Sequence, residues 1–262
     1  MSQKRRTIDD ALLGFIGANT PPSATIDHAL RYLGTWGGTD KLMMTAQYAA
    51  KLVAPYLLYR AQLQFSAGKR AKPLSLTHDG LYKFAGQLSV ARRIMGFWGI
   101  LAIFKGLSKL ERSPPPNYTR LQLNLERLQG LSMLVFYPLE YVSFFSAPFT
   151  GPLLRVSRAT SQFAELWSVR AWGAYVALNI IELFTEWSAL KEEQDAEKRT
   201  KRRRQIMYQL VANVSRMPVI VHWSVVGGIY SSELLTSALS LISALASFRG
   251  GWENHYLPPP AK

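Results

Sequence analysis

The residues that could carry out catalytic or metal chemistry are few in this sequence and lie far apart. It contains four histidines and no cysteine, which excludes disulfides, thiol nucleophiles and cysteine-based metal sites. The histidines show no H-E-x-x-H or comparable ligand spacing, so they predict no zinc site. The glycine-rich stretch GTWGGTDK, residues 34–41, lacks the Gly-Lys-Ser/Thr ending of a phosphate-binding loop. We therefore expect no catalytic residues, no metal site, no cofactor and no enzymatic activity.

The overall charge of the chain indicates an acidic partner. The 262 residues carry a formal net charge of +14, and 48% of them are hydrophobic. This balance suits either nucleic acid or the anionic face of a membrane. No recognition-helix or zinc pattern supports nucleic acid, whereas 7 Trp, 12 Tyr and 12 Phe favour the lipid–water interface. We expect an anionic phospholipid membrane as partner and no nucleic acid.

The elements that position these residues are separated by proline- and glycine-containing breaks. The segments between the breaks are rich in Leu and Ala and lack the period-2 alternation of strands. The sequence therefore predicts an all-α, membrane-associated helical bundle with amphipathic N-terminal helices and at least one C-terminal transmembrane helix. We predict a mobile N-terminal segment over 1–23, a helical membrane domain over 24–252 and a Pro-rich tail over 253–262.

Two segments of the N-terminal half are candidates for the membrane surface. Residues 40–65 show an amphipathic pattern whose apolar stripe we expect to face a bundle core. The stripe comprises Leu42, Ala46, Ala49, Val53 and Leu57, with Gln47, Lys51 and Gln62 on the opposite side. Residues 84–112 contain the apolar run IMGFWGILAIF, which is shorter than the roughly 20 residues of a span. It could lie in the interface or inside a bundle. The cations beside it, expected at the membrane surface, are Arg92, Arg93 and Lys105.

A second basic cluster precedes the most apolar part of the chain. Its members are Lys198, Arg199, Lys201, Arg202, Arg203 and Arg204. A solvated, charge-rich helix and a nuclear localisation patch are alternative interpretations. Because apolar residues resume within a few positions, we favour a clamp on acidic lipid headgroups that also sets membrane topology.

The C-terminal stretch over 217–247 is apolar but carries one acidic residue, Glu233. As one helix it would reach roughly 46 Å, more than the bilayer core of about 30 Å, so we predict a break at Gly227–Gly228 and a span over 229–248. Glu233 then lies about one turn from the start of the helix, where the helix dipole favours an anion. One stripe of mostly small residues predicts a helix-packing seam. It comprises Glu233, Ser237, Ser240, Ala244 and Ser247, opposite Leu235, Leu239, Ile242 and Ala246.

Three stretches together resemble the peroxin-11 family, the membrane-elongation factors of the peroxisome. They are LGTWGGTDKLMMTAQYAAKL (33–52), LSVARRIMGFWG (88–99) and the segment over 215–252, and the resemblance runs from about residue 26 to 252. The residues that match the family pattern are Gly38, Asp40, Lys41, Gln47, Tyr48, Pro218, His222, Trp223 and Trp252. Arg92 and Arg93 match loosely, and Arg216 stands where the family pattern has an aspartate. These departures suggest a divergent, fungal-type branch.

The resemblance implies a function for the chain. A peroxin-11-like protein is expected in the peroxisomal membrane, where it oligomerises, inserts amphipathic helices into the acidic leaflet and elongates the membrane before fission. Residues 40–65 and 84–112 are the candidate wedges, and the fission machinery is an implied partner. Two other functions stay open: a scaffold that only recruits fission factors, and a small-solute channel. Polar residues inside apolar helices would line such a channel, namely Glu140, Arg170 and Glu182.

Overall fold

A computed structural model describes residue 8 and residues 13–116, 118–147, 153–191 and 193–257 of the protein. The regular structure of these residues is entirely α-helical, which confirms the predicted fold class. The helices are α1 (Phe15–Asn19), α2 (Ala24–Leu33), α3 (Trp36–Ser66), α4 (Leu76–Gly96), α5 (Gly99–Arg112), α6 (Arg120–Ser146), α7 (Arg158–Ala189), α8 (Ala196–Trp223) and α9 (Glu233–Asn254). Residues 148–152, which contain one of the proline- and glycine-containing breaks, lie outside the described residues, as do the end of the Pro-rich tail and most of the segment before α1.

Short polar side chains set where the long helices begin. From α2 onward, every helix except α5 starts after a Ser, Thr or Asp whose side chain accepts a hydrogen bond from the first turn. Such caps satisfy backbone donors that have no partner inside the helix. Prolines lie inside three helices, at Pro55, Pro138 and Pro218, where each removes one backbone hydrogen bond.

The long helices pack as antiparallel neighbours in an order that differs from the order in sequence. The spatial sequence is α4, α3, α9, α8, α7, α6 and α5. The last helix of the chain, α9, therefore lies between α3 and α8. Met44 and Tyr48 of α3 form a core cluster with Ala244 of α9, and Leu241 packs against it.

The apolar stripe of α3 does not face the core, contrary to the prediction. Leu42 and Val53 are 43% and 47% exposed, while Gln47, predicted on the opposite side, is buried. The glutamine can be buried because its Oε1 accepts a hydrogen bond from Arg92 Nη1 at 2.9 Å, which removes most of the cost of burying an amide. The rest of the buried side is formed by Met44, Tyr48, Ala50, Ala54 and Ala61.

Residues 84–112 form parts of two helices rather than one continuous element. α4 ends at Gly96 and α5 begins at Gly99, so a turn at Phe97–Trp98 divides the 11-residue apolar run. Gly99 allows the close approach of α6 at this turn, because a Cβ there would overlap the Tyr137 hydroxyl. The two halves of the run consequently lie on helices with different neighbours.

The C-terminal helix begins later than predicted, at Glu233 instead of Ile229, and ends at Asn254. Gly227 and Gly228, the predicted break, have φ values of +84° and +73°, which only glycine adopts readily. Ser232 then caps the helix by accepting a hydrogen bond from the Leu235 amide at 3.2 Å. Among the described residues, α9 is the helix that is long and apolar enough to cross a membrane, and only 28% of its most apolar stretch is buried in the bundle.

Candidate functional site

A cavity of about 850 Å³ lies among α3, α4, α6, α7 and α8 and reaches the loop before α9. Its volume is in the range of roughly 300–1,000 Å³ that is typical of ligand-binding sites. The charged side chains that line it are Asp40, Lys41, Arg92, Arg93, Glu140, Glu165 and Arg216. Residues from the three motif stretches, far apart in sequence, therefore meet around one internal space.

Asp40 is the central anion of the cavity. Its Oδ1 accepts a hydrogen bond from Arg92 Nε at 2.7 Å, and its Oδ2 accepts one from Lys41 Nζ at 2.7 Å. Burial alone would raise the pKa of Asp40, but the two cations and their hydrogen bonds outweigh burial and lower the pKa below its ordinary value. One ionised carboxylate thus serves two cations.

Arg216 is a cation that forms no ion pair with any carboxylate of the described residues. No carboxylate oxygen of the described residues lies within 4.0 Å of its guanidinium, and its buried Nε has no hydrogen-bond partner there. Its neighbours are the sulfur of Met44, 4.0 Å from Nη2, and the ring of Trp172, 5.7 Å from Cζ. Burial lowers the pKa of Arg216, and the positive charge of Arg92 lowers this pKa further. The centre of the cavity therefore holds more positive than negative charge.

A second acid–base pair lies nearer the rim. Glu140 Oε1 is 4.0 Å from Arg93 Nε, and the Tyr141 hydroxyl donates to the Arg93 carbonyl oxygen at 2.8 Å. Burial raises the pKa of Glu140, although Arg93 and Arg92 act in the opposite direction. Asp40 and Glu140, two carboxyl groups in one cavity, thus have pKa values shifted in opposite directions.

His222 and Trp223 lie where α8 ends beside the cavity. The His222 Nδ1 accepts a hydrogen bond from the Ile229 amide at 3.0 Å, and its ring stacks on Tyr230 with centroids 4.0 Å apart. A Cβ at Gly228 would overlap this ring. His222 consequently holds the loop between α8 and α9 and is not arranged as a metal ligand.

Gly38 and Trp252 lie away from the cavity centre. They belong to contacts that join the first helices of the described chain to the end of α9. A Cβ at Gly38 would overlap the Tyr32 carbonyl, so only glycine allows this close turn before α3. The Tyr32 ring packs edge-on against Trp252. The centroid of the His28 ring lies 4.1 Å from the centroid of the same indole. Pro218, by contrast, is exposed on α8.

The basic cluster at the start of α8 is partly neutralised by neighbouring acids. Arg202 Nη2 donates to Glu186 Oε2 at 2.6 Å, and Arg204 Nη1 lies 3.7 Å from Glu253 Oε2 of α9. The cluster therefore lies beside the C-terminal end of the candidate span. The other members are exposed: Lys198, Arg199, Lys201 and Arg203.

The small-residue stripe of α9 lies against the neighbouring helices of the same chain. Ser237, Ser240 and Ala244 are buried, and Ser247 is partly buried. Glu233 is the first helical residue, and its carboxylate is 3.1 Å from Lys51 Nζ of α3. On the opposite side of the helix, Ala246 is also buried. The role of the stripe in assembling several copies stays a prediction.

Only one of the three polar residues expected to line a channel is found in the cavity wall. Glu140 lines it, whereas Arg170 and Glu182 do not. The Arg170 Nε donates to the Ser224 carbonyl at 3.2 Å, and Glu182 Oε2 accepts from Gln129 Nε2 at 2.8 Å. These two charges therefore have local structural partners.

Together these features define a class of protein: an all-α bundle with one candidate membrane span, many exposed apolar side chains and a charged internal cavity. Residues 26–252 match the family model described as Peroxisomal biogenesis factor 11 (PEX11). The chain belongs to this family, whose members are peroxisomal membrane proteins that act in peroxisome proliferation and are not known as enzymes. Searches among curated proteins and among solved structures return no significant match.

Proposed function

We propose that this protein elongates the peroxisomal membrane by inserting α5 as an amphipathic wedge into the acidic leaflet. In this mechanism α9 anchors the chain, and several copies assemble before the fission machinery is recruited, without any enzymatic step. The observation that carries the proposal is the surface of α5. It combines exposed apolar side chains with a row of cations on a helix that packs on one side only.

The two sides of α5 have different surroundings. Leu110 is buried, and Ile103 and Leu107 are partly buried, on the side that packs against α6. Leu101 and Phe104 are 58% and 56% exposed. At 100° per residue, these two side chains lie between the buried side and a cationic stripe. The stripe comprises Lys105, Lys109 and Arg112.

This arrangement suits a helix that lies at the surface of a bilayer. Apolar side chains of an interfacial helix enter roughly 5–10 Å into one leaflet, while the stems of neighbouring cations let their charges reach the headgroups. Each cation near an acidic surface contributes about 1 kcal/mol. Trp98, exposed at the start of α5, is of the residue type that gathers at this depth. Insertion into one leaflet expands it, and many such wedges favour curvature.

The wedge is tested with the full-length chain reconstituted into vesicles that contain phosphatidylserine. The double variant Leu101→Asp with Phe104→Asp should abolish tubulation seen by electron microscopy, because two charges cannot enter the acyl region. The variant should still float with the vesicles through α9. A matched control is Leu76→Asp, which changes a leucine that is 87% exposed on another helix and should leave tubulation intact. Unchanged tubulation by the double variant would move the wedge to the exposed stripe of α3, around Leu42 and Val53.

A small-solute channel is the second candidate function, and the internal cavity is the observation that favours it. A path through the cavity would pass Glu140 and Arg92. Ion selectivity of a conductance in planar bilayers should then change in the Glu140→Gln variant. A conductance whose selectivity does not respond to this change would exclude the cavity as its path.

A further inference from the structure

The side chains that the structure describes around the cavity carry unequal numbers of positive and negative charges. Lys41 and Arg92 share the single carboxylate of Asp40, and Arg216 has none within 4.0 Å among the described residues. Arg93, nearer the rim, already faces Glu140. Glu165, which is exposed on α7, also lines the cavity. Four lining cations therefore face three lining carboxylates, which leaves an excess of one positive charge.

Such an excess is costly inside a protein. Removing a charge from water is compensated only when the charge is paired and hydrogen-bonded. An arginine cannot avoid the cost by losing its proton, because its guanidinium stays charged in proteins. Nε of Arg216 is buried and has no partner in the described part of the chain. An anion from outside the chain would supply the partner that Arg216 lacks among the described residues.

We propose that the cavity is a binding site for the phosphate group of a single acidic phospholipid, held between Arg216 and Arg92. This site is distinct from α5 and does not depend on the wedge.

The chemistry of the two arginines favours a phosphate. A guanidinium offers a planar fork of donors that matches two phosphate oxygens, and the bonds are charge-assisted. Arg92 uses Nε for Asp40 and Nη1 for Gln47, and these bonds fix its orientation. Its other terminal nitrogen remains as a donor, and the Arg216 side chain lines the same cavity without an ion pair among the described residues.

The shape and the entrance of the cavity favour a phosphate carried on a lipid over a free ion. The volume of about 850 Å³ is far larger than a phosphate ion needs. Trp36, Phe136 and Trp172 contribute apolar wall. Among the exposed lining residues, Phe163 and Val226 are 57% and 84% exposed, and Gln162 and Glu165 are exposed beside Phe163. The charged centre is therefore reached past both apolar and polar side chains. A lipid from the surrounding membrane can pass the apolar ones without losing apolar contact.

The test uses the full-length protein, freed of lipid in neutral detergent. The protein carries Leu101→Asp and Phe104→Asp, so that lipid binding by α5 does not contribute. Three probes are titrated by calorimetry: short-chain phosphatidic acid, the matching diacylglycerol and inorganic phosphate. We expect one saturable site for phosphatidic acid and none for diacylglycerol. Equal binding of diacylglycerol would overturn the proposal. If inorganic phosphate binds as tightly as phosphatidic acid, the cavity binds an oxyanion, but the proposal that the phosphate belongs to a lipid is overturned.

Variants assign the binding to the two arginines. Arg216→Met should weaken binding of phosphatidic acid by about 10- to 100-fold, the loss of one or two charge-assisted hydrogen bonds. The control Arg170→Met removes an arginine outside the cavity wall and should leave affinity unchanged. The ligand-free Arg216→Met protein should melt no lower than its parent, because the change removes an unpaired charge. Unchanged affinity in Arg216→Met would refute the site.

A measurement without cavity variants covers the case in which Arg216→Met does not fold. Phosphatidic acid should raise the melting temperature of the parent protein in a concentration-dependent way, because a ligand of the folded state stabilises it. Diacylglycerol should not. The absence of any such rise would also overturn the proposal. Neither result depends on tubulation, so failure of this site is distinguishable from failure of the wedge.

Discussion

Removal of the carboxylate of Asp40 should destabilise the bundle more than any other single loss of charge in the cavity. Asp40→Asn keeps the size of the side chain but leaves Lys41, Arg92 and Arg216 with no anion at their centre. The Asp40 side chain is only 14% exposed, and both of its oxygens are hydrogen-bonded at 2.7 Å. Solvent therefore screens this interaction weakly.

The magnitude follows from the cost of breaking a buried ion pair by removing one partner, which is about 3–5 kcal/mol. For a chain of this size each kcal/mol lowers the melting temperature by roughly 2–4 °C. Asp40→Asn should therefore lower the melting temperature by roughly 6–20 °C. The same change at an exposed ion pair should cost about 0–1 kcal/mol. Asp79, whose side chain is 60% exposed beside His78, provides that control.

The assay is thermal unfolding of the full-length protein in neutral detergent, followed by circular dichroism at several pH values. Because the folded-state pKa of Asp40 lies below its ordinary value of 3.8, its contribution is complete above that pH and is lost as the pH falls through the folded-state value. The difference between the parent and Asp40→Asn should therefore be constant near neutrality and shrink in acid. A loss at neutral pH no larger than that of Asp79→Asn would refute the assignment of Asp40 as the central anion.

Three further predictions concern the cavity and the helix contacts. Burial raises the folded-state pKa of Glu140 above its ordinary value of 4.5, so its contribution to stability is lost as the pH rises through the folded-state value. The melting temperature of Glu140→Gln should therefore gain on that of the parent as the pH rises above 4.5, and a constant difference would contradict this. Gly38→Ala should lower the free energy of unfolding by about 1–3 kcal/mol in denaturant unfolding, because the added Cβ would meet the backbone of Tyr32. A decrease below about 0.5 kcal/mol would mean that the turn relaxes freely. Ser240→Leu should lower the melting temperature more than Leu239→Ile, because Ser240 is buried and Leu239 is only partly so; equal melting temperatures would count against a packing role for the stripe.

Local signals in the sequence predict those features that depend on local physics. Helix content follows from composition and from the absence of strand periodicity, and it is found in α1 to α9. The break at Gly227–Gly228 follows from the conformational freedom of glycine, and both residues have positive φ. Glu233 near a helix start is also a local signal, although the helix begins at this residue rather than four residues before it.

The orientation of α3 could not be predicted because it depends on a partner far away in sequence. Hydrophobicity alone places Gln47 outside, since a buried amide without partners is costly. Arg92, 45 positions away, supplies the hydrogen bond that removes this cost. The alanines at 50, 54 and 61 then form the buried side with Gln47 because they let neighbouring helices approach, which a hydrophobicity pattern does not register. The stripe of larger apolar residues is left for the membrane or another surface.

The cavity illustrates the same limit for the candidate site. Arg92 lies 52 positions after Asp40 in the sequence, and Arg216 lies more than a hundred positions further on. Each looks like an ordinary charge within its own segment. Arg216 did carry one signal, since it replaces the aspartate of the family pattern. An aspartate at this position would reduce the positive charge around Asp40 and its partners, whereas the arginine increases it. The departure from the pattern therefore acquires a physical meaning only once the helices bring the three residues together.

The contacts of α9 also constrain how copies of the protein can assemble. Its small-residue stripe lies against α3 and α8 of the same chain, with Ser240 and Ala244 buried. A second copy could use this stripe only by displacing one of these helices, which would expose the core cluster of Met44 and Tyr48. Another side of α9 carries Ile242 and Leu245, which are 47% and 49% exposed. This side packs less closely against α3 and α8 than the stripe does. Contacts between copies that leave the bundle intact must therefore use this exposed side of α9 or other helices, because the stripe is already buried within each copy.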